Sequence, residues 1–449
     1  MLLGASYYFY ACWKVEYAFL MLFTTVIDYY AGRIIGSAKT IWKRKMWLLC
    51  SVATNLGMLF LFKYLDFFIG SLNDFLVPLN LMQEQPLFHL LLPVGISFYT
   101  FQSMSYTIDV YRGETPPEKN LARFALYVSF FPQLVAGPIE RSSHLLPQFR
   151  ERHEIDYRRI ADGVKLMMWG FFKKLVIADR LAPFVNQIYA SPNEASGAQL
   201  AMATYCFAIQ IYCDFSAYSD IAIGAARIMG YDLMTNFKRP YLARSIREFW
   251  QRWHISLSTW FRDYLYKPLG GSHGSQWRTV FNTMTVFVLS GLWHGANWTF
   301  VVWGALHGLF LVTSRATHSA RAAIAEALKL GEDSPIRKAI QVLVVFHLVV
   351  LTWIFFRARD LTDAFTILKR IATWAPALPN QIEPSAAYLI GLPAVLVLII
   401  ADSVHERKSF RMRMLEWHPA VRWPAYATLI MAIILFGAYS GQDFIYFQF

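Results

Sequence analysis

Charged side chains are scarce in this chain. Only 16% of its 449 residues are Asp, Glu, Lys or Arg, against about 25% in a soluble domain, and that deficit excludes an ordinary water-soluble fold. Cysteine is sparse too. Cys12, Cys50, Cys206 and Cys213 show no CxxC or Cys/His ligand spacing, so they imply no disulfide framework and no metal. Their apolar context predicts buried small hydrophobes. No cleavable signal peptide opens the chain, and no low-complexity tract interrupts it. Nothing between the apolar runs is long enough for a separate soluble domain. The sequence also lacks an internal repeat, which weakens a transporter reading, because many secondary transporters are built from two related halves.

What is present is apolar: 56% of residues are hydrophobic and 17% aromatic. Runs of membrane character cover 47–62, 199–211, 339–356, 386–400 and 424–436. Some are shorter than the roughly 20 residues a spanning helix needs, so flanking residues must complete them or they do not cross. The pattern predicts an all-α, polytopic transmembrane helical bundle, one membrane domain over 1–449 with its polar chemistry concentrated at roughly 200–313. The formal charge of +12 does not imply a nucleic-acid partner, since the basic residues cluster in short loops as the positive-inside rule expects.

Loop charge predicts the topology. Arg33, Lys39, Lys43, Arg44 and Lys45 mark a cytoplasmic loop, and so do Arg407, Lys408, Arg411, Arg413 and Arg422. Residues 63–88 carry Asp66, Asp74 and Glu84 against one lysine and read as the outer side. Segments 121–136 and 279–312 are flanked by basic residues at both ends, which a single crossing cannot satisfy. The second is 34 residues long with Gly291 near its middle. It predicts a re-entrant or hairpin passage bent close to His294, where irregular backbone needs protein or a watery cavity around it.

An ionisable residue at membrane depth is expensive to place and marks a substrate path or reactive centre, and histidine is suited to moving protons near neutral pH. His294, in Trp293-His294-Gly295-Ala296, is therefore the first candidate for catalysis. A core histidine is the bland alternative. Asn297 and Trp298 follow closely enough to donate a hydrogen bond, and His307, thirteen residues on, is expected to point elsewhere and serve structure. Asp214 and Tyr218 are spaced to share a helix face; a buried pair with an arginine or tyrosine competes with a direct role for the carboxylate. Trp250, His254 and Ser258 recur at four-residue steps, aligned if the segment is helical. The aromatic and basic mixture around them, with Arg247 and Arg252, suits a membrane-surface element or a phosphate-bearing ligand.

Several motifs in order carry a resemblance: Tyr212-Cys213-Asp214-Phe215-Ser216, Phe249-Trp250-Gln251-Arg252-Trp253-His254, Tyr264-Leu265-Tyr266-Lys267-Pro268 and Leu292-Trp293-His294-Gly295. Leu92-Pro93-Val94-Gly95, Ala136-Gly137-Pro138-Ile139, Trp353-Ile354-Phe355-Phe356-Arg357 and the ending Phe444-Ile445-Tyr446-Phe447-Gln448-Phe449 add to it. Together they resemble the membrane-bound O-acyltransferase family over nearly the whole chain, and most closely the bacterial branch that includes the alginate O-acetylation membrane component. The resemblance implies re-entrant and short helices around a central funnel, an active-site histidine at His294 and the family's other histidine at His254. It also implies a multi-pass protein of the bacterial inner membrane and an acyl-coenzyme-A-type thioester as co-substrate, with no tightly bound cofactor. Expected partners are membrane lipid, a periplasmic esterase-like protein and polysaccharide export machinery. Relatives begin with an extra hydrophobic helix before the region matching 5–10, so that helix is expected to be missing here.

Acyl transfer to a hydroxyl needs a base, and His294 fits that role. No GxSxG nucleophile motif is evident, so direct transfer is simpler than an acyl-enzyme. Lys238, Arg239, Arg244, Arg247 and Arg252 are expected to meet the anionic donor. Alginate, cellulose-like polymers, peptidoglycan and a teichoic-acid relay remain open as acceptor pathways. The non-enzymatic rivals are a polysaccharide or lipid transporter and a scaffold.

Overall fold

The computed structural model describes residues 1–377, 388–404, 417–439, 441, 444 and 445, and no strand occurs among them. Five described helices are long and apolar enough to cross a bilayer: Val15–Ser37, Ile41–Leu76, Trp298–Ala316, Pro335–Arg357 and Pro419–Phe436. The chain is a multi-pass, all-helical membrane protein. The runs expected at 47–62, 339–356 and 424–436 fall within three of these helices. The run at 199–211 does not lie in one of the five. It belongs to Gly197–Ile228, where Thr204, Gln210, Asp214, Ser216 and Ser219 are buried in protein. The run at 386–400 begins outside the described residues, as do Arg407, Lys408, Arg411 and Arg413 of the expected basic loop.

The chain divides into two compact units, Met1–Ile160 with Ala225–Met234, and Ala161–Gly224 with Thr235–Phe449. The first contains α1 (Leu2–Ala11), α2 (Val15–Ser37) and α3 (Ile41–Leu59), which runs through a π-helical turn at Phe60–Tyr64 into α4 (Leu65–Leu76). It continues with α5 (Ile96–Arg112), α6 (Leu121–Ser129) and α7 (Ser142–Gln148). Asp28 of α2 is fully buried. Its carboxylate accepts from Ser51 Oγ at 2.6 Å, from Asn55 Nδ2 at 2.9 Å and from Ser103 Oγ. A buried carboxylate is tolerable when donors surround it, and here the donors staple α2 to α3 and α5. The nine residues of α6 are too few for a crossing at 1.5 Å per residue, which accounts for basic residues at both ends of 121–136.

The second unit begins within α8 (Tyr157–Phe171), which passes through a π-helical turn at Phe172–Ala178 into α9 (Asp179–Ala190), and includes α10 (Gly197–Ile228) as far as Gly224. The widened turn lets two successive lysines reach α10. Lys173 pairs with Asp220 at 2.9 Å and donates to Ser216 at 2.7 Å, while Lys174 pairs with Asp214 at 2.7 Å and Asp179 at 2.8 Å. Two short helices, α11 (Ile246–Arg252) and α12 (Ile255–Phe261), precede α13 (Gln276–His294) and α14 (Trp298–Ala316). Beyond these lie α15 (His318–Ala327), α16 (Pro335–Arg357), α17 (Leu361–Ala372), α18 (Tyr388–Val404) and α19 (Pro419–Phe436).

Helices α13 and α14 form the hairpin that loop charge implied. The bend falls at 295–297, after His294, and not at Gly291. The Asn297 side chain caps α14 by accepting from Thr299 N at 3.0 Å, which starts the second helix. Gly291 has a different use. A Cβ there would stand 2.1 Å from the Phe300 carbonyl oxygen, and one on Gly304 would stand 2.2 Å from that of Phe287. The two helices touch backbone to backbone, as small residues allow inside membranes. Of the cysteines, Cys206 and Cys213 are buried as expected, but Cys12 and Cys50 are exposed. Cys50 sits on an outward face of α3 and Cys12 in the turn after α1, where an apolar context means lipid as readily as core.

Candidate active site

His294 ends α13 and is 3% exposed. Its ring centroid lies 5.0 Å from those of Trp293 and Trp303, 5.4 Å from Phe356 and 6.2 Å from His254. The ring thus stands at a helix C-terminus, where the macrodipole attracts positive charge, inside an enclosure of aromatic rings that excludes water.

His254 was expected on a helix face with Trp250 and Ser258. The structure breaks the helix there instead. α11 ends at Arg252, Trp253 is extended, and His254 takes a left-handed conformation with φ +42° before α12 starts. The cause is a distant segment. Lys238 N donates to Arg252 O and Ile255 N donates to Asn236 O, both at 2.9 Å. Asn236 Oδ1 also accepts from Ser256 Oγ at 2.7 Å, and its amide donates to Ser219 Oγ at 3.2 Å. A non-glycine residue held left-handed stores strain that surrounding structure must maintain. That strain places the His254 ring 4.6 Å from Phe215 and 5.7 Å from Trp293. Burial pushes its pKa well below the ordinary histidine value, so the ring is neutral.

The remaining candidates separate. Trp250 packs at 5.7 Å on Trp303 and 4.9 Å on His307, so it joins the wall behind His294. Asn297 does not offer its amide to the site, because Nδ2 donates to Arg359 O at 2.9 Å while Oδ1 caps α14. Trp298 is 53% exposed. Arg252 is tied to Glu248, whereas Arg247 lies exposed with Lys238 and Arg244 nearby in the chain. Sequence reasoning set His307 aside, yet it packs 4.9 Å from Trp303, the ring that also borders His294. Asn236 carried no motif signal, and only its pairing with 255–256 shows its role.

Asp214 is a structural pair, with a lysine where an arginine or tyrosine was expected. Its carboxylate holds Lys174 and accepts Ile445 N at 2.7 Å. The Tyr218 ring packs tilted against Phe444, with centroids 5.3 Å apart. Asp214→Asn is expected to destabilise the protein by about 3–5 kcal/mol, since removing one partner strands a buried charge. Thermal unfolding in detergent measures this, and an unchanged midpoint would rule the pair unimportant.

The membrane-bound O-acyltransferase family model matches residues 115–357. The chain is 43% identical over 406 residues to "Probable alginate O-acetylase AlgI" of Pseudomonas aeruginosa, covering 89% of this chain and 75% of that protein. It is 36% identical over 484 residues to the protein of the same name from Azotobacter vinelandii, covering 100% and 94%. It is also 36% identical over 392 residues to "Peptidoglycan O-acetyltransferase" of Helicobacter pylori, covering 81% and 72%. With this extent of similarity, and with the histidine of α13 enclosed as described, the chain belongs to the membrane-bound O-acyltransferase family.

Proposed function

We propose that this protein moves an acetyl group from a cytoplasmic thioester of the coenzyme A class to an exported polysaccharide of the alginate type. On this reading it works in the bacterial inner membrane with a periplasmic esterase-like partner and the polymer's export machinery. The observation that carries the mechanism is the position of His294, at a helix end inside an aromatic enclosure, 6.2 Å from a second buried histidine. His294 takes the proton of the attacking hydroxyl as its oxygen bonds to the thioester carbon. The tetrahedral intermediate then expels sulfur, and the proton passes from His294 to the thiolate. One C–O bond forms, one C–S bond breaks, and the base is restored. His254, neutral and held by strain, orients the neighbouring Trp293 and His294 rings. Exposed Lys238, Arg244 and Arg247 suit the donor's phosphates.

The acceptor reading rests on the relatives named for alginate. The Helicobacter pylori relative supports peptidoglycan as a second reading. Ester analysis of each exported polymer, with and without the chain at matched growth, separates them. Ester lost from a uronate polymer is the expected result. Ester lost from peptidoglycan selects the second reading, and unchanged ester in both overturns the proposal.

A further inference from the structure

Three buried polar atoms in the wall behind His294 have no hydrogen-bond partner among the described residues: Trp250 Nε1, Trp303 Nε1 and His307 Nδ1. Their side chains are 9%, 0% and 0% exposed. The rings form one group, with His307 4.9 Å from each indole and the indoles 5.7 Å apart.

The hydrogen positions follow from chemistry. Thr352 Oγ1 lies 2.7 Å from Val349 O, which accepts its single proton, and 3.0 Å from His307 Nε2. Nε2 must therefore carry hydrogen and donate to Thr352, leaving Nδ1 of the neutral ring as an acceptor. The cluster thus offers two N–H donors and one lone pair. Unmet buried groups of this kind are costly in a dry site, and the complementary group must both accept and donate. A bare carbonyl, an ester or a hydrocarbon cannot do both, whereas a secondary amide can, as can water or a hydroxyl, and of these the amide alone is fixed at a short distance from the thioester.

The thiol arm of a coenzyme-A-type donor carries such an amide, two methylene groups from the sulfur. The Trp303 ring is 5.0 Å from His294 and 4.9 Å from His307, so the cluster and the base share one wall. We propose that Trp250, Trp303 and His307 form a subsite for this amide, which sets the thioester carbon against His294. This rests on the reading of the donor as a thioester of that class. The indoles donate to the amide carbonyl, and the amide N–H donates to His307 Nδ1.

The test is displacement of labelled acetyl-coenzyme A from the full-length chain in lipid nanodiscs. One competitor is the acetyl thioester of N-acetylcysteamine, which has the amide. The other is pentyl thioacetate, which has the same length without it. The amide competitor is expected to displace label at about tenfold lower concentration or better, the scale set by leaving buried polar groups unmet. Trp303→Phe and Trp250→Phe should each shrink that ratio toward one, and the wild-type comparison cancels partition into lipid. His294→Ala should leave the ratio as it was. Equal displacement by both competitors in the wild type, or a ratio unmoved by both tryptophan variants, means that water fills the cluster and overturns the subsite. Absence of any acetyl-coenzyme A binding overturns the donor reading and the subsite with it.

Discussion

His294→Ala is expected to lower ester transfer by about 10²–10⁴, the usual worth of a positioned general base, without reducing the amount of protein in the membrane. The effect should be large because the base has no substitute nearby. His254 is held by the Asn236 segment with its ring against Phe215, so it cannot swing into the vacated place without breaking the hydrogen bonds that fix its backbone. Asn297, the nearest polar residue in sequence, has its amide committed to Arg359 and its oxygen to the α14 cap. His294→Gln retains polar bulk but has no basic nitrogen, and should be as inactive as the alanine variant. Initial rates of labelled acetyl transfer, normalised to membrane abundance, measure this. Transfer retained in both variants would remove His294 from the mechanism. Loss of protein together with activity in alanine but not in glutamine would point to packing.

Gly304→Val should be nearly as damaging by a different route. The position a Cβ would take is 2.2 Å from a main-chain oxygen of α13, and main chain cannot rotate away as a side chain does. The helices must separate, and Trp303, next in sequence, moves with α14 away from His294. Overpacking of this kind costs about 1–3 kcal/mol or more, and sub-ångström misplacement of catalytic groups is costly in rate. Gly308→Ala supplies the contrast. Its new methyl would meet the Met284 sulfur at 2.9 Å, the end of a flexible side chain that can yield. Activity and thermal stability should therefore fall steeply for Gly304→Val and stay near wild type for Gly308→Ala. Equal behaviour of the two would show that the hairpin is not set by backbone contact.

Local charge and composition were enough to read the hairpin. Basic residues at both ends of 279–312 cannot be reconciled with one crossing, and the asparagine that caps α14 lies within three residues of His294. The break at His254 was not legible in the same way. Residues 249–258 have the aromatic and polar spacing of a helix, and what interrupts them is pairing with 236–238. That contact is long-range, and no local propensity encodes it. Asp214 shows the same limit. Its spacing announced a buried carboxylate in need of a partner, but the partner comes from a π-helical turn about forty residues earlier. The neighbourhood of His307 was not legible either, because the thirteen-residue interval was laid on one continuous helix. Across the bend, His307 and His294 belong to antiparallel helices and share Trp303.

The Asp214 carboxylate also has a place in the order of synthesis. Lys174 precedes it in the chain and is ready when it emerges, but the Ile445 amide lies 231 residues later. At about 5–20 residues per second, translation takes roughly 10–50 s to deliver it. During that interval α10, which carries Phe215 against His254, has its lysine contacts but not its last tether. The Ile445 hydrogen bond is therefore among the last contacts of α10 to form, long after Lys174 is available to the same carboxylate.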